Sequence, residues 1–404
     1  MPGSWDYKGG NMAGPLEGLK ILDFTTLLPG PYATMTLADL GAEVLSVVSG
    51  SRPDLAAITP PFITGTDLSV ASAYLGRGKK SITLNLKDAR GVEVVHRLLA
   101  KYDILIEQFR PGVMEKFGLG FSQIREKYPS LIYCSLTGYG QTGPLKDRAG
   151  HDINYLSVAG LMSYAGRRDG GPVPMPMQIA DVASGSNSAI IAILAAVIHR
   201  LKTGKGQHLD ISMTDGVFAF NALAAAACLA AGEIPEREGF ILNGGSLYDF
   251  YETADHQYIG FGGMEPQFFA AFCRAIGRPD LIDGTFLPPN LSEVKKEVRA
   301  VISGKTRKEW ESIFDNVEAC VEPVLSLSEA INSSLADQRN WIVDVTLPDG
   351  TTVRQPACPL KFSATPPVYG KTGVKAGSHN REVLLEVGYT EAEINEFGKT
   401  GLFS

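Results

Sequence analysis

The sequence has few cysteines and no surplus of positive charge. Its five cysteines in 404 residues are widely spaced and form no CxxC pair, so neither a disulfide framework nor a zinc knuckle is supported, and a reducing, cytoplasmic location is expected. The formal net charge is −7, whereas nucleic-acid binding requires clustered lysine and arginine. A general nucleic-acid binder is therefore excluded.

Two common phosphate-binding motifs are also missing. The sequence contains no GxxxxGK[ST] loop, and no GxGxxG opens the first predicted helix. Nucleotide hydrolysis and nicotinamide chemistry therefore lack their usual phosphate cradle.

Long apolar runs are absent as well. The most apolar runs, residues 188–198 and 217–231, are rich in alanine and shorter than the roughly 20 residues of a membrane span. Buried helices are expected instead, with no membrane span. Residues 1–13 are polar and glycine-rich, without the apolar core of a signal peptide, so we expect a flexible extension.

Short aliphatic runs alternate with helical stretches over the first half of the chain. This pattern is typical of an α/β fold with a Rossmann-like parallel sheet flanked by helices. We predict a large domain from residues 14–224 and 340–404, and a smaller α+β domain from residues 225–339. The predicted strands are residues 19–24, 42–48, 81–86, 104–107 and 131–136, with a strand pair at 247–251 and 257–262 in the smaller domain.

Three acid/base side chains stand in short polar segments: His151, Asp181 and Glu265. Removing a proton from a carbon and returning one to its opposite face needs two such groups. Other interpretations remain open from the residues alone. Asp152 and Asp181 are possible helix N-caps, with Asp210 and Asp215 as rivals to Asp181, and Glu265 before Pro266 is a possible first-turn acid.

Basic residues flank the predicted strands. Arg77, Lys79 and Lys80 stand just before one strand and Arg110 just after another. At the ligand side of the sheet they would hold several phosphates by bidentate and point-charge contacts. Ordinary solvated loop charges are the alternative.

Several motifs together resemble the class III CoA-transferase (CaiB/BaiF) superfamily over residues 14–387, and two of them are similar to α-methylacyl-CoA racemases in particular. The superfamily motifs are GPY at 30–32, LADLGAEV at 37–44, GRGKK at 76–80, FRPGV at 109–113, TGYGQ at 137–141 and TGKGQ at 203–207. The racemase-like motifs are HDINY at 151–155 and MEPQF at 264–268.

This resemblance implies an interlocked homodimer that acts on 2-methylacyl-CoA thioesters. His151 and Asp181 would serve opposite faces of the α-carbon, and the Asp152 amide would stabilise the enolate oxygen. Glu265 would support the imidazole from the other subunit. The residues implied for CoA are Arg77, Lys79, Lys80, Arg110, Tyr139 and Gly140. No metal, flavin or nicotinamide is implied, since deprotonation beside a thioester needs only bases and oxyanion donors.

The chain also departs from the family pattern. Ser46 lies in LSVVS, residues 45–49, where relatives carry a charged residue, and the segment 51–70 is longer than in compact racemases. Two alternatives stay open. One is a CoA-transferase in which Asp152 attacks the thioester, and the other is a catalytically inactive acyl-CoA-binding protein.

Overall fold

The computed structural model describes residues 14–52, 54–282 and 284–404. The extension expected at residues 1–13 lies outside them. The chain forms two compact units. The first runs to Val158 and adds Pro176–Val217 and Arg339–Ser404, and the second comprises Ala159–Met175 and Phe218–Gln338. The second unit thus begins before residue 225 and includes a segment that was predicted to belong to the large domain.

A parallel sheet forms the centre of the first unit, as predicted, and it has six strands, one more than the sequence indicated. Its strands are β1 (Lys20–Phe24), β2 (Glu43–Val48), β3 (Lys79–Thr83), β4 (Ile104–Glu107), β5 (Ile132–Thr137) and β6 (His208–Ser212). They lie in the order β3-β2-β1-β4-β5-β6, and every neighbouring pair is parallel. The order reverses between β1 and β4, which in such sheets is where ligands bind.

Helices flank this sheet. Those of the first unit are α1 (Pro29–Asp39), α2 (Leu55–Ile58), α3 (Val70–Leu75), α4 (Ala89–Leu99), α5 (Val113–Lys116), α6 (Phe121–Ile124), α7 (Asp152–Val158), a π-helical segment (Ile179–Ser186), α8 (Asn187–Thr203), α16 (Asn380–Glu386) and α17 (Glu391–Lys399). Helix α9 (Met213–Phe220) crosses the boundary between the units. An antiparallel pair, β10 (Ile342–Thr346) and β11 (Thr352–Pro356), completes the first unit.

The central strands are aliphatic and almost fully buried. Leu22, Ile104 and Leu105 are 0% exposed, as expected for parallel strands covered on both faces. One core cluster joins these strands to α4 and to the tail, through Val383, Leu384 and Leu402. The tail therefore packs on the first unit, as predicted.

The second unit is a smaller α+β assembly with an antiparallel sheet. Its strands β7 (Asp249–Glu252), β8 (Tyr258–Phe261) and β9 (Val321–Pro323) are in that order. Its helices are α10 (Ala222–Ala231), α11 (Pro266–Ala275), α12 (Leu291–Ile302), α13 (Arg307–Phe314), α14 (Leu327–Ile331), α15 (Ser334–Gln338) and two 3₁₀ turns (Leu161–Ser163 and Pro279–Leu281). Phe272, Val298 and Trp310 fill its core.

The π-helical segment and α8 form one continuous helix, Ile179–Thr203. Its 25 residues are long and apolar enough to span a membrane, and 39% of its most apolar stretch is buried. The length predicted for this run was therefore too short, because the helix begins well before Ser188. Length and composition alone are weak evidence for a span, since core helices of soluble proteins share them.

Candidate active site

Three segments meet beside the point where the strand order reverses. The N–H of Gly30, in the first turn of α1, donates to Gln108 Oε1 in the loop after β4 (3.1 Å). The Ser186 hydroxyl, at the end of the π-helical segment, donates to the Pro29 carbonyl (2.6 Å). The start of α1, the loop after β4 and the π-helical segment are thereby fixed to one another.

His151 stands immediately before the first residue of α7. Its amide donates to Asn154 Oδ1 (3.0 Å), and its carbonyl accepts the amides of Asn154 and Tyr155. Among the described residues, the amides of Asp152 and Ile153 have no hydrogen-bond partner. The helix start expected at Asp152 is thus present, with an exposed imidazole beside unpaired N–H groups.

The carboxylate of Asp152 caps the segment that carries Asp181. Asp152 Oδ1 accepts the amides of Ala180 (2.6 Å) and Asp181 (3.0 Å). Burial and the nearby Asp152 charge raise the pKa of Asp181 to about 6, against an opposing effect of His151. The Asp152 carboxylate and the His151 imidazole therefore both act electrostatically on Asp181.

Tyr155 packs behind these groups, a position to which the sequence assigned no role. Its hydroxyl donates to the Gly150 carbonyl (2.5 Å), and its ring meets Tyr139 edge-on at 5.1 Å between centroids. A Cβ at Gly138 or Gly150 would lie 2.3 or 2.6 Å from this ring. Only glycine therefore leaves room for the Tyr155 ring at positions 138 and 150. Through its hydroxyl, Tyr155 supports the backbone just before His151.

Arg77 lies inside the first unit and not at its surface. Its side chain is 0% exposed and pairs with Asp39 (2.6 Å), and it also donates to Gln355 Oε1 and the Pro356 carbonyl. The prediction of an open phosphate contact at Arg77 is therefore corrected. Its guanidinium ties the end of α1 to β11 because a buried charge requires paired hydrogen bonds.

Lys79 and Lys80 belong to β3, which starts two residues earlier than predicted. Lys79 is buried and pairs with Asp23 (3.2 Å), and burial lowers its pKa against the effect of that carboxylate. Lys80, more exposed, pairs with Glu382 and Glu386. Neither lysine stands in the loop before the strand, where the sequence had placed it.

Arg110 and Tyr139 remain at the site. Burial, with the charges of Asp181, Tyr139 and Asp152, raises the pKa of Tyr155 to about 12, and Arg110, which is exposed after β4, opposes this rise. Gly140, with φ of +81°, turns the chain so that the Gln141 amide meets the Asp210 carboxylate (3.0 Å). Asp210, which the sequence left as an alternative to Asp181 for the second acid/base group, therefore holds the backbone of this loop.

Glu265 lies in the second unit. It directly precedes α11, with Pro266 in the first turn, and its side chain is exposed without a capping hydrogen bond. No group of three or more His, Cys, Asp or Glu side chains within residues 14–52, 54–282 and 284–404 could hold a metal ion.

Comparison with known proteins identifies the family. The model of CoA-transferase family III matches residues 16–380. The chain belongs to CoA-transferase family III. Relatives of this family III chain include α-methylacyl-CoA racemase of Mus musculus, 34% identical over 94% of this chain and 95% of that protein. Succinate–glutarate CoA-transferase of Agrobacterium fabrum is 35% identical over 93% and 96%.

A solved structure shares the fold of this family III chain. A CaiB/BaiF family protein from Brucella suis is similar with a TM-score of 0.81 and 28% identity, over 93% of this chain and 100% of that one. The resemblance recognised from the sequence motifs is thereby confirmed at the level of family and fold. Because the racemase and the transferase are equally similar, identity alone does not choose between their reactions.

Proposed function

We propose that this family III chain is a homodimeric 2-methylacyl-CoA racemase, with CoA as part of its substrate and no further cofactor. The observation that carries the proposal is the placement of His151 and Asp181 in one electrostatic group, with the pKa of Asp181 raised to about 6. A carboxyl group with this pKa exists in both protonation states near neutral pH, which suits a group that donates a proton in one direction and accepts it in the other.

The proposed reaction transfers one proton on each face of the α-carbon. The His151 imidazole removes the α-hydrogen of one enantiomer, and the electron pair moves into the thioester carbonyl to give an enolate. The protonated Asp181 carboxyl then donates its proton to the opposite face. The reverse reaction exchanges the two roles, and the unpaired amides of Asp152 and Ile153 are donors suited to the enolate oxygen.

The dimer is supported by apolar surface on two helices. Ile191 and Leu201 on α8 are 68% and 78% exposed, and Leu229 on α10 is 80% exposed. On α8, Ile191, Ile198 and Leu201 recur at helical spacing, and such a stripe of exposed apolar side chains is typical of an interaction surface. In the proposed dimer Glu265 of the partner subunit supports the His151 imidazole, as a carboxylate does for other catalytic histidines.

The test follows the α-hydrogen of each enantiomer of a 2-methylacyl-CoA in heavy water by NMR, and its chirality by chromatography, without an acceptor acid. The wild type should exchange and invert both enantiomers. His151→Ala and Asp181→Ala should each lose inversion and retain exchange with one enantiomer only. His256→Asn, at an exposed histidine between β7 and β8, is the matched control and should leave both reactions unchanged.

A CoA-transferase is the second candidate, favoured by the Agrobacterium fabrum relative and by the position of Asp152 at the helix start. The Asp152 carboxylate would attack the thioester carbonyl and expel the CoA thiolate, which leaves a mixed anhydride on the protein. No α-hydrogen exchange, together with CoA movement after addition of a free acid that is lost in Asp152→Asn, would support this candidate and exclude the racemase.

A further inference from the structure

A cavity of about 150 Å³ lies within the first unit beside the ends of β1 and β2. Its lining surface is mostly apolar, and the lining residues include Leu27, Val48 and Ala57 of α2. In sheets with this strand order, one mononucleotide is bound at the carboxyl ends of β1 to β3. The cavity extends from Pro31 in α1, whose first turn is fixed to the π-helical segment that carries Asp181, towards β3.

The cations that line the cavity are Lys79 and Lys80, and Lys79 has no hydrogen left to donate. An ammonium group carries three N–H donors. Those of Lys79 go to Asp23 Oδ2 (3.2 Å), Thr34 Oγ1 (2.6 Å) and the Pro31 carbonyl (2.9 Å). A phosphate at Lys79 would have to displace one of these partners from a site that is 4% exposed.

Lys80 is paired as well. Its ammonium lies 2.8 Å from Glu382 and 3.0 Å from Glu386. The lining includes Asp54 as a further carboxylate, which accepts the amides of Leu27 and Ala56. The cavity walls within the described residues therefore carry no surplus positive charge.

Two cations are close in sequence to lining residues, Lys375 to Val374 and Arg52 to Asp54. Lys375 follows the lining residue Val374 and pairs with Asp67 at 2.5 Å. Arg52 is exposed and does not line the cavity. A phosphomonoester dianion is normally held by short charge-assisted hydrogen bonds from unpaired cations, and the described residues that line the cavity offer none.

We propose that this cavity takes the adenosine end of a CoA thioester without binding its 3′-phosphate, so that dephospho-CoA thioesters are accepted as well as CoA thioesters. The inference rests on the proposed function only in that a CoA thioester is bound, whichever reaction follows. In this proposal the selectivity of the cavity comes from contact between its apolar walls and the adenine ring.

Calorimetric titration of the full chain with CoA and with dephospho-CoA at one ionic strength tests the proposal. The two dissociation constants should differ by less than about threefold, whereas even one charge-assisted hydrogen bond to the 3′-phosphate would give a preference of about tenfold or more. Ser49→Arg, which adds a cation to the lining, should create such a preference for CoA. Ser49→Gln, which adds a neutral chain of comparable reach, should not.

Each contrary outcome has a distinct meaning. A wild-type preference for CoA above about tenfold overturns the inference and leaves the proposed function standing, and its loss in Arg52→Ala or Lys375→Ala would identify the cation responsible. Failure to bind either ligand overturns this inference and the proposed function together.

Discussion

Asp152 and Asp181 are linked by charge and by hydrogen bonds at once. Asp152 accepts the backbone amides at Ala180 and Asp181 while its negative charge contributes to the raised pKa of Asp181. An asparagine at 152 keeps an oxygen for those amides and removes the charge. The two effects are therefore separable by one conservative substitution.

We expect Asp152→Asn to lower the pKa of Asp181. In the direction in which Asp181 is the base, the wild-type rate should rise as pH increases through about 6, because the carboxyl group must lose its proton. In the variant this rise should move to lower pH by about one unit. The pH profile of α-hydrogen exchange measures this shift. His151 and Tyr155, the other titratable groups facing Asp181, are the same in both proteins. An unmoved profile would contradict the coupling, and Asp147→Asn, an exposed carboxylate, is the control.

Glu107 is a second buried carboxyl group, at the end of β4. Burial raises its pKa to about 7, although the Phe109 amide donates to it at 2.8 Å. Its stabilising contribution is therefore full below its unfolded pKa, about 4.3, and is lost as pH rises through about 7.

Glu107→Gln should accordingly stabilise the protein more at pH 8.5 than at pH 5. The gain in the free energy of unfolding should reach about 2 kcal/mol at the higher pH and be smaller at the lower one. Urea unfolding at both pH values gives the difference, with the exposed Glu126→Gln as the control. An equal change at both pH values would assign the effect to packing instead.

At the scale of elements, the loop after β5 and the start of α7 depend on the same ring. Gly138→Ala places a Cβ 2.3 Å from the Tyr155 ring, and overpacking of this kind costs about 1–3 kcal/mol. Because the Tyr155 hydroxyl holds the Gly150 carbonyl, we expect a fall in kcat of about tenfold. Gly171→Ala, where the added Cβ meets nothing within 4 Å, should have no effect. Equal kinetics for the two variants would contradict this role of Tyr155.

The sequence located the elements whose pattern is local. Strands β1, β2, β4 and β5 follow from continuous aliphatic runs, and β4 was predicted to the residue. The start of β3 was predicted two residues too late, because Lys79 is polar in sequence and its ammonium is buried against Asp23, Pro31 and Thr34, 45 or more residues away. β6 was missed, because His208 and Asp210 interrupt its apolar pattern.

The candidate site shows the same division. His151, Asp152 and Asp181 were found through the family motifs, and the structure brings them together. The burial of Arg77 and the role of Tyr155 depend on contacts with Gln355 and Gly138. Such distant partners leave no periodic signal in the chain.

At the scale of the whole molecule, the proposed dimer predicts that two inactive variants complement each other. His151→Ala and Glu265→Ala are co-expressed with different tags, and mixed dimers are isolated by two affinity steps. If Glu265 acts across the dimer, each mixed dimer has one intact site and should show about half of the wild-type activity. Each variant alone is the control, and mixed dimers as inactive as the single variants would place both residues in one chain.

The arrangement of the two units along the chain also bears on how the protein is made. All six strands of the parallel sheet precede residue 213, yet Val383, Leu384 and Leu402 belong to their core, and Arg77 finds Gln355 278 residues later. During synthesis the core of the first unit therefore stays incomplete, with apolar surface exposed. It can be completed only when the second unit has been translated and the tail has left the ribosome. Because domains tend to fold as they emerge, the second unit has the chance to fold first, and the half-built first unit is the stage at which chaperones would be needed.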